Sequence, residues 1–250
     1  MKKKYSFKGH KNDLSGVLAL PKDMPKAYVL FAHCFTCGKN FTASSRISRE
    51  MVKLGYAVFR FDYTGLGESQ GDFSDTNFTT NVADIIAAAG FMRSNFQAPQ
   101  LLIGHSLGGT AILKAASAIA ESKAVVCLSS PAHTEHITHL FSSSIDEIQF
   151  KGQAKIQLAG RDFIIKKQFI DDLNNQNTVH IRKLNKALLV MHSPKDGVVD
   201  IEEAEKIYTK AQHPKSFVSL DDADHLLSRN SDIQYLTKII DAWVQKFIKS

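Results

Sequence analysis

Gly104-His105-Ser106-Leu107-Gly108-Gly109 is the stretch that decides how this chain is read. It follows the apolar run Leu101-Leu102-Ile103 and precedes Thr110–Ala120, a segment of helical composition. G-x-S-x-G in that setting is a strand-to-helix turn, sharp enough to hold its central residue in a strained backbone conformation. Such a turn brings neighbouring backbone very close, so Gly104 and Gly108 stand where a Cβ would clash. It lifts the Ser106 hydroxyl above the end of the strand, with a helix N-terminus beneath it.

Outward from this turn the chain alternates strands and helices. Lys4–Gly9 and Leu14–Leu20 read as a hairpin around the turn residues Lys11-Asn12-Asp13. Tyr28–His33, Ala57–Asp62, Leu101–Gly104, Ala124–Ser129, Leu188–His192 and Ser216–Leu220 read as further strands. Most are continuous apolar runs, as expected of strands buried on both faces of a parallel sheet. Between them lie amphipathic helices, one with Val82, Ile85, Ile86 and Ala89 at helical spacing. Another carries Leu236, Ile239, Ile240, Trp243 and Phe247 behind a Ser231 cap. The expectation is one α/β domain over residues 1–250, with an eight-stranded, mostly parallel sheet and helices on both faces. More than fifty residues separate the strands ending near Ser129 and starting near Ala187. This is too long for a plain crossover, so about 132–183 reads as a cap over the carboxyl ends of the strands, where open α/β sheets bind ligands.

Composition narrows the function. The 250 residues are 44% hydrophobic and 22% charged, with a net charge of +6. Mean hydropathy is −0.15 and the pI about 9.1. No apolar run approaches the ~18 residues of a membrane span. Lys2, Lys3 and Lys4 supply half of the charge excess at a terminus expected to be mobile. The other basic residues are dispersed without interleaved aromatics, which argues against nucleic-acid binding. The Lys run is not followed by an apolar signal segment, and three cysteines cannot make a disulfide framework, so the expected compartment is the cytoplasm.

A serine hydroxyl needs a base to take its proton and a third group to orient that base. Two loops at strand ends supply them. Asp196 lies in Ser193-Pro194-Lys195-Asp196-Gly197, and His225 ends Asp221-Asp222-Ala223-Asp224-His225. Ser106, Asp196 and His225 also stand in the chain order expected of this elbow. Asp200 competes for the acid role, but its position fits the cap of the next helix. Asp224 reads as surface charge, His192 as structural, and His105 as a buried elbow residue facing away from the nucleophile. The backbone N–H groups of Leu107 and Phe35 are the candidate oxyanion donors. Phe35 belongs to the loop His33-Cys34-Phe35-Thr36-Cys37-Gly38, which His33 braces by hydrogen bonding.

These motifs, in this order, make the chain resemble the α/β-hydrolase superfamily from end to end. His33-Cys34-Phe35 resembles the His-Gly-X element of its oxyanion loop. Asp62-Tyr63-Thr64-Gly65-Leu66-Gly67-Glu68-Ser69 resembles its D-x-x-G-x-G-x-S turn. The layout is similar to the capped esterase and serine-aminopeptidase (S33-like) branch. The string His-Cys-Phe-Thr-Cys, with Pro131, His136, His139-Leu140-Phe141 later, is similar to the hydrolase half of proteins fused to an OsmC-like peroxidase domain. The resemblance implies a serine hydrolase working through an acyl-enzyme, with no metal or organic cofactor. Cys34 in place of the family's glycine is expected to narrow the pocket floor.

The expected substrate is a small or medium acyl ester, with His136, His139 and Phe141 of the cap as candidate pocket residues. An aminopeptidase would need carboxylates to anchor an α-amine, for which Glu135, Asp146 and Glu147 are available. A thioesterase is possible on the same triad. The alternative of another class is a non-catalytic or redox-sensing module using Cys34-x-x-Cys37, a pair that follows a strand but lacks the thioredoxin context. His133-x-x-His136-x-x-His139 aligns three imidazoles, and is read as cap packing or pocket lining rather than a metal site.

Overall fold

The computed structural model describes residues 1–158 and 160–248. The chain runs β1 (Lys2–Lys8), β2 (Asp13–Ala19), β3 (Tyr28–Ala32), α1 (Thr42–Lys53), β4 (Ala57–Phe61), α2 (Phe78–Asn95), β5 (Leu101–His105), α3 (Leu107–Ala115) and β6 (Ala124–Leu128). A run of 3₁₀ turns over Thr134–Ser144 follows, then α4 (Ile145–Lys151), β7 (Gln153–Leu158), β8 (Arg161–Lys166), α5 (Lys167–Asn174) and α6 (Val179–Arg182). β9 (Ala187–His192), α7 (Ile201–Lys210), β10 (Lys215–Ser219) and α8 (Asn230–Val244) come last.

Eight strands form one sheet in the order β1-β2-β4-β3-β5-β6-β9-β10. The β1–β2 and β2–β4 pairs are antiparallel, and every other pair is parallel. The apolar runs explain this architecture. Along β5, Leu101 and Ile103 face the layer of α1 and α8, whereas Leu102 faces α2 and α3. β3, β6 and β9 alternate in the same way, so the central strands are covered on both sides. Topologically, every parallel strand then delivers its carboxyl end to one edge.

Three local expectations are corrected. Lys2, Lys3 and Lys4 are not a mobile terminus, because they pair with Ala19, Leu18 and Val17 in the hairpin. Ile86 lies at the rim of its helix stripe and is exposed, while Phe78, Ile85 and Met92 form the buried centre. Ser231 does not cap the last helix. α8 starts two residues earlier, at Asn230 with Arg229 in the cap position, and the Ser231 hydroxyl meets Asp232 instead.

The segment between β6 and β9 forms its own small unit around the antiparallel β7–β8 hairpin. It is tied to the main body by Thr79 N–H to Asp172 (2.9 Å) and Asn77 to Gln168 (2.7 Å) at the start of α2. Aromatic rings continue the contact, with Phe163 on Phe73 (4.8 Å) and Phe169 on Phe35 (5.2 Å between centroids).

Candidate active site

Ser106 sits between β5 and α3 at φ 55°, ψ −131°, a backbone conformation that costs a non-glycine residue on the order of 1–3 kcal/mol. The surroundings hold it there: its N–H donates to Leu128 O (2.9 Å), and its carbonyl accepts from Gly109 N–H (2.8 Å). Gly108 is required by close approach. A Cβ there would lie 2.3 Å from His33 O and 2.6 Å from Ala32 O, both fixed backbone atoms. Gly108→Ala is therefore expected to lower stability by about 3 kcal/mol through overpacking. Urea denaturation checks this, and an unchanged midpoint would refute the close approach.

The parallel strands bring three distant side chains together. His225 Nδ1 lies 2.8 Å from Asp196 Oδ2, and His225 Nε2 lies 3.1 Å from Ser106 Oγ. The ionised carboxylate only accepts, so Nδ1 carries the proton and Nε2 is free to accept from the serine hydroxyl. Asp196 is itself held, because Oδ1 accepts from the N–H groups of Val198 and Val199, each at 2.9 Å. Burial would push its carboxyl up, but the His225 hydrogen bond and charge, with these two N–H groups, hold it below the usual carboxylate range. Asp200 stands at the start of α7 as expected, although its side chain makes no capping bond. Asp224 accepts from the Ser228 N–H and hydroxyl and is exposed.

His33 Nδ1 donates to Cys34 O (2.8 Å), the bracing contact expected of it, and Cys37 N–H reaches the same oxygen at 3.2 Å. A trans peptide points its C=O and N–H in opposite directions. The Phe35 N–H therefore faces away from both donors, and neither it nor the Leu107 N–H has an acceptor among the described residues. Cys34 is not a free thiol. Its sulfur is bonded to Cys37, with the Cα atoms 5.4 Å apart, and Cys127 is the buried free cysteine.

Three supporting contacts were not specified by the sequence, although His105 and His192 already read as structural. Lys39, fully buried, donates its N–H to Asp62 Oδ1 (2.6 Å) and its ammonium to Asp62 Oδ2 and to Glu68 (2.8 Å). Arg60 bonds the Lys39 carbonyl, so the glycine-rich turn after β4 anchors the loop after β3. That turn is tight enough that a Cβ on Gly67 (φ +57°) would meet Asp62 at 2.3 Å. Second, His105 Nε2 donates to the His225 carbonyl (2.7 Å) and holds the loop carrying the base. Third, His192 donates to Val199 O (2.8 Å) and braces the acid loop. The first has no local signal, because no acid stands beside Lys39 in the sequence. The two histidine contacts depend on loops far away in sequence.

Residues 23–165 match a hydrolase family described as serine aminopeptidase, S33. The chain belongs to this family of α/β hydrolases. It is similar, with 41% identity and a TM-score of 0.80 over 100% of both chains, to the esterase domain of a Rhodothermus marinus protein. It is also 25% identical over 227 residues to a mitochondrial palmitoyl-protein thioesterase, ABHD10, of Pongo abelii, covering 87% of this chain and 73% of that protein. The mouse α/β hydrolase domain-containing protein 10 superposes with a TM-score of 0.79 at 21% identity, covering 98% of this chain and 99% of that one.

In this S33-family chain the three histidines of the inserted segment find different surroundings. His133 turns to α7, within 3.1 Å of Lys210 Nζ and 3.7 Å of Glu203. His136 and His139 pack edge to face at 4.9 Å, with His139 exposed. Phe141 is buried, its ring edge-on to that of Phe169 in the same inserted segment.

Two buried histidines make the fold acid-sensitive. Burial pushes His33 down to about 4, and burial with the neighbouring His225 pushes His105 down to about 3, from the ordinary 6.5. Above 6.5 both are neutral, folded or unfolded. As pH falls from 6.5 toward 4 only the unfolded chain takes up these protons, so stability drops by roughly 1 kcal/mol per pH unit for each. The urea midpoint is expected to fall steadily between pH 7 and 4.5, and a flat profile would contradict it.

Proposed function

We propose that the chain is a serine hydrolase that cleaves carboxylic esters through an acyl-enzyme. The observation that carries this is the continuous Asp196–His225–Ser106 relay, at 2.8 and 3.1 Å. Ser106 Oγ attacks the acyl carbonyl while His225 Nε2 takes its proton. Asp196 keeps the other ring nitrogen protonated and stabilises the imidazolium. The N–H groups of Phe35 and Leu107 receive the oxyanion, and the imidazolium protonates the leaving alcohol. Water then enters, gives its proton to His225, and releases the acid. All of these steps use side chains and backbone groups of the chain itself.

The inserted segment, residues 132–183, acts as a cap over this site. Phe35 lies against Phe73 and Phe169, an apolar wall beside a proposed oxyanion donor that favours a hydrocarbon acyl group. Glu135, Asp146 and Glu147 are exposed to solvent, and Glu147 pairs with Lys151, which disfavours an anchored α-amine and hence aminopeptidase action. The names of the relatives, an esterase domain and a palmitoyl-protein thioesterase, support oxygen esters first and thioesters second. We place this chemistry in the cytoplasm.

A fluorophosphonate probe followed by mass spectrometry tests the reading. Labelling is expected at Ser106 alone. Parallel assays with p-nitrophenyl esters of rising chain length, acyl thioesters and aminoacyl anilides then order the substrates. A folded protein left unlabelled and inert on all three would refute it.

A further inference from the structure

The Cys34–Cys37 bond lies inside the loop that presents Phe35. Other tethers grip the loop beyond this turn. Lys39 is fastened to Asp62, and Phe41 N–H donates to Gly38 O (2.9 Å). Across residues 34–37 the non-covalent ties are the His33 Nδ1 and Cys37 N–H bonds to Cys34 O (2.8 and 3.2 Å), Arg161 on Thr36 O, and packing of the Phe35 ring. The disulfide is the covalent one of these constraints: it closes the turn around the Cys34–Phe35 peptide, whose carbonyl His33 and Cys37 hold by hydrogen bonds alone. Cys34 is buried whereas Cys37 is half-buried, so one sulfur of the pair is within reach of an attacking thiolate.

We propose that Cys34–Cys37 is a thiol–disulfide exchange site whose state sets the turnover of the hydrolase, with a dithiol as reductant and its disulfide as oxidant. The proposal rests on the serine-hydrolase reading above. A reductant thiolate attacks Cys37 Sγ, the sulfur–sulfur bond breaks, and the electron pair leaves on Cys34 Sγ, which takes a proton. The reductant's second thiol attacks the mixed disulfide and releases Cys37 as a thiol, leaving the reductant oxidised to its disulfide. In a reducing compartment a protein disulfide is characteristically transient and regulatory. With the bond closed, the Phe35 N–H is preorganised for the oxyanion. With it open, the anchors on residues 38–41, the Phe35 ring and the His33 bond keep the loop in place, but hydrogen bonds alone orient the peptide and its N–H is held less tightly.

Dithiothreitol treatment of the native protein, followed by alkylation and intact mass, reads the redox state. Two thiols are expected to appear, at Cys34 and Cys37, because burial shields Cys127 and pushes its thiol up. Losing one oxyanion donor costs 10²–10³-fold in kcat, so loosening one is expected to lower kcat about 10- to 100-fold on reduction. KM should change by less than about twofold, since only the transition state uses that N–H. Diamide should restore the oxidised rate. Cys37→Ser should stay slow and ignore both reagents; the same wild-type titration decides the matter if that variant fails to fold. Equal kcat in the verified oxidised and reduced forms, with Ser106 labelled in both, overturns this proposal alone. No hydrolysis and no labelling in either form overturns the hydrolase reading and this proposal with it.

Discussion

Ser106→Ala is expected to lower kcat on the preferred ester by about 10⁶-fold, because nucleophile and base act as one unit. Stability should change little. Alanine accepts φ 55° as badly as serine does, and the hydroxyl's hydrogen bond here is the one to His225. Adding His225→Ala to this variant should cost almost nothing more, since the same step is already gone. A slow residual rate would persist from binding and the N–H groups of Phe35 and Leu107. Stopped-flow or burst measurements on the purified variant check the prediction. Retention of even one-hundredth of wild-type turnover would mean that another residue attacks the carbonyl.

Asp196→Asn should cost about 10⁴-fold in kcat, through the wrong histidine tautomer. Asp196 Oδ1 is held by the N–H groups of Val198 and Val199, both donors. An asparagine must keep its carbonyl oxygen on them, which turns its NH₂ toward His225 Nδ1. Nδ1 then accepts, the ring proton moves to Nε2, and the base no longer has a lone pair facing Ser106 Oγ. Asp200→Asn, on a side chain that makes no cap bond, should leave turnover within about twofold. If the two variants behaved in the opposite way, the acid of the relay would be Asp200.

The strands were readable because each is a short apolar run closed by turn residues, and their ends fall within a residue or two of the expected positions along the central sheet. The helical period was less reliable at its edges. Ile86 fits the spacing but lies outside the buried stripe, and Ser231 has a capping residue's chemistry at a position already inside α8. The lysines at the start failed for a different reason. Charge suggested a mobile tail, yet a hairpin edge strand tolerates exposed Lys while its backbone pairs with Val17–Ala19.

Side-chain chemistry carried the candidate site, and tertiary packing decided its supports. A hydroxyl between small residues at a strand end, followed by an acid and an imidazole at later strand ends, is a pattern of residue types and order, so it can be read in one dimension. Whether His105 holds the loop of His225, whether Lys39 is sealed against Asp62, and whether Cys34 meets Cys37 are questions of distance between atoms. Those distances are set by how loops settle over a closed core, and local composition says nothing about them.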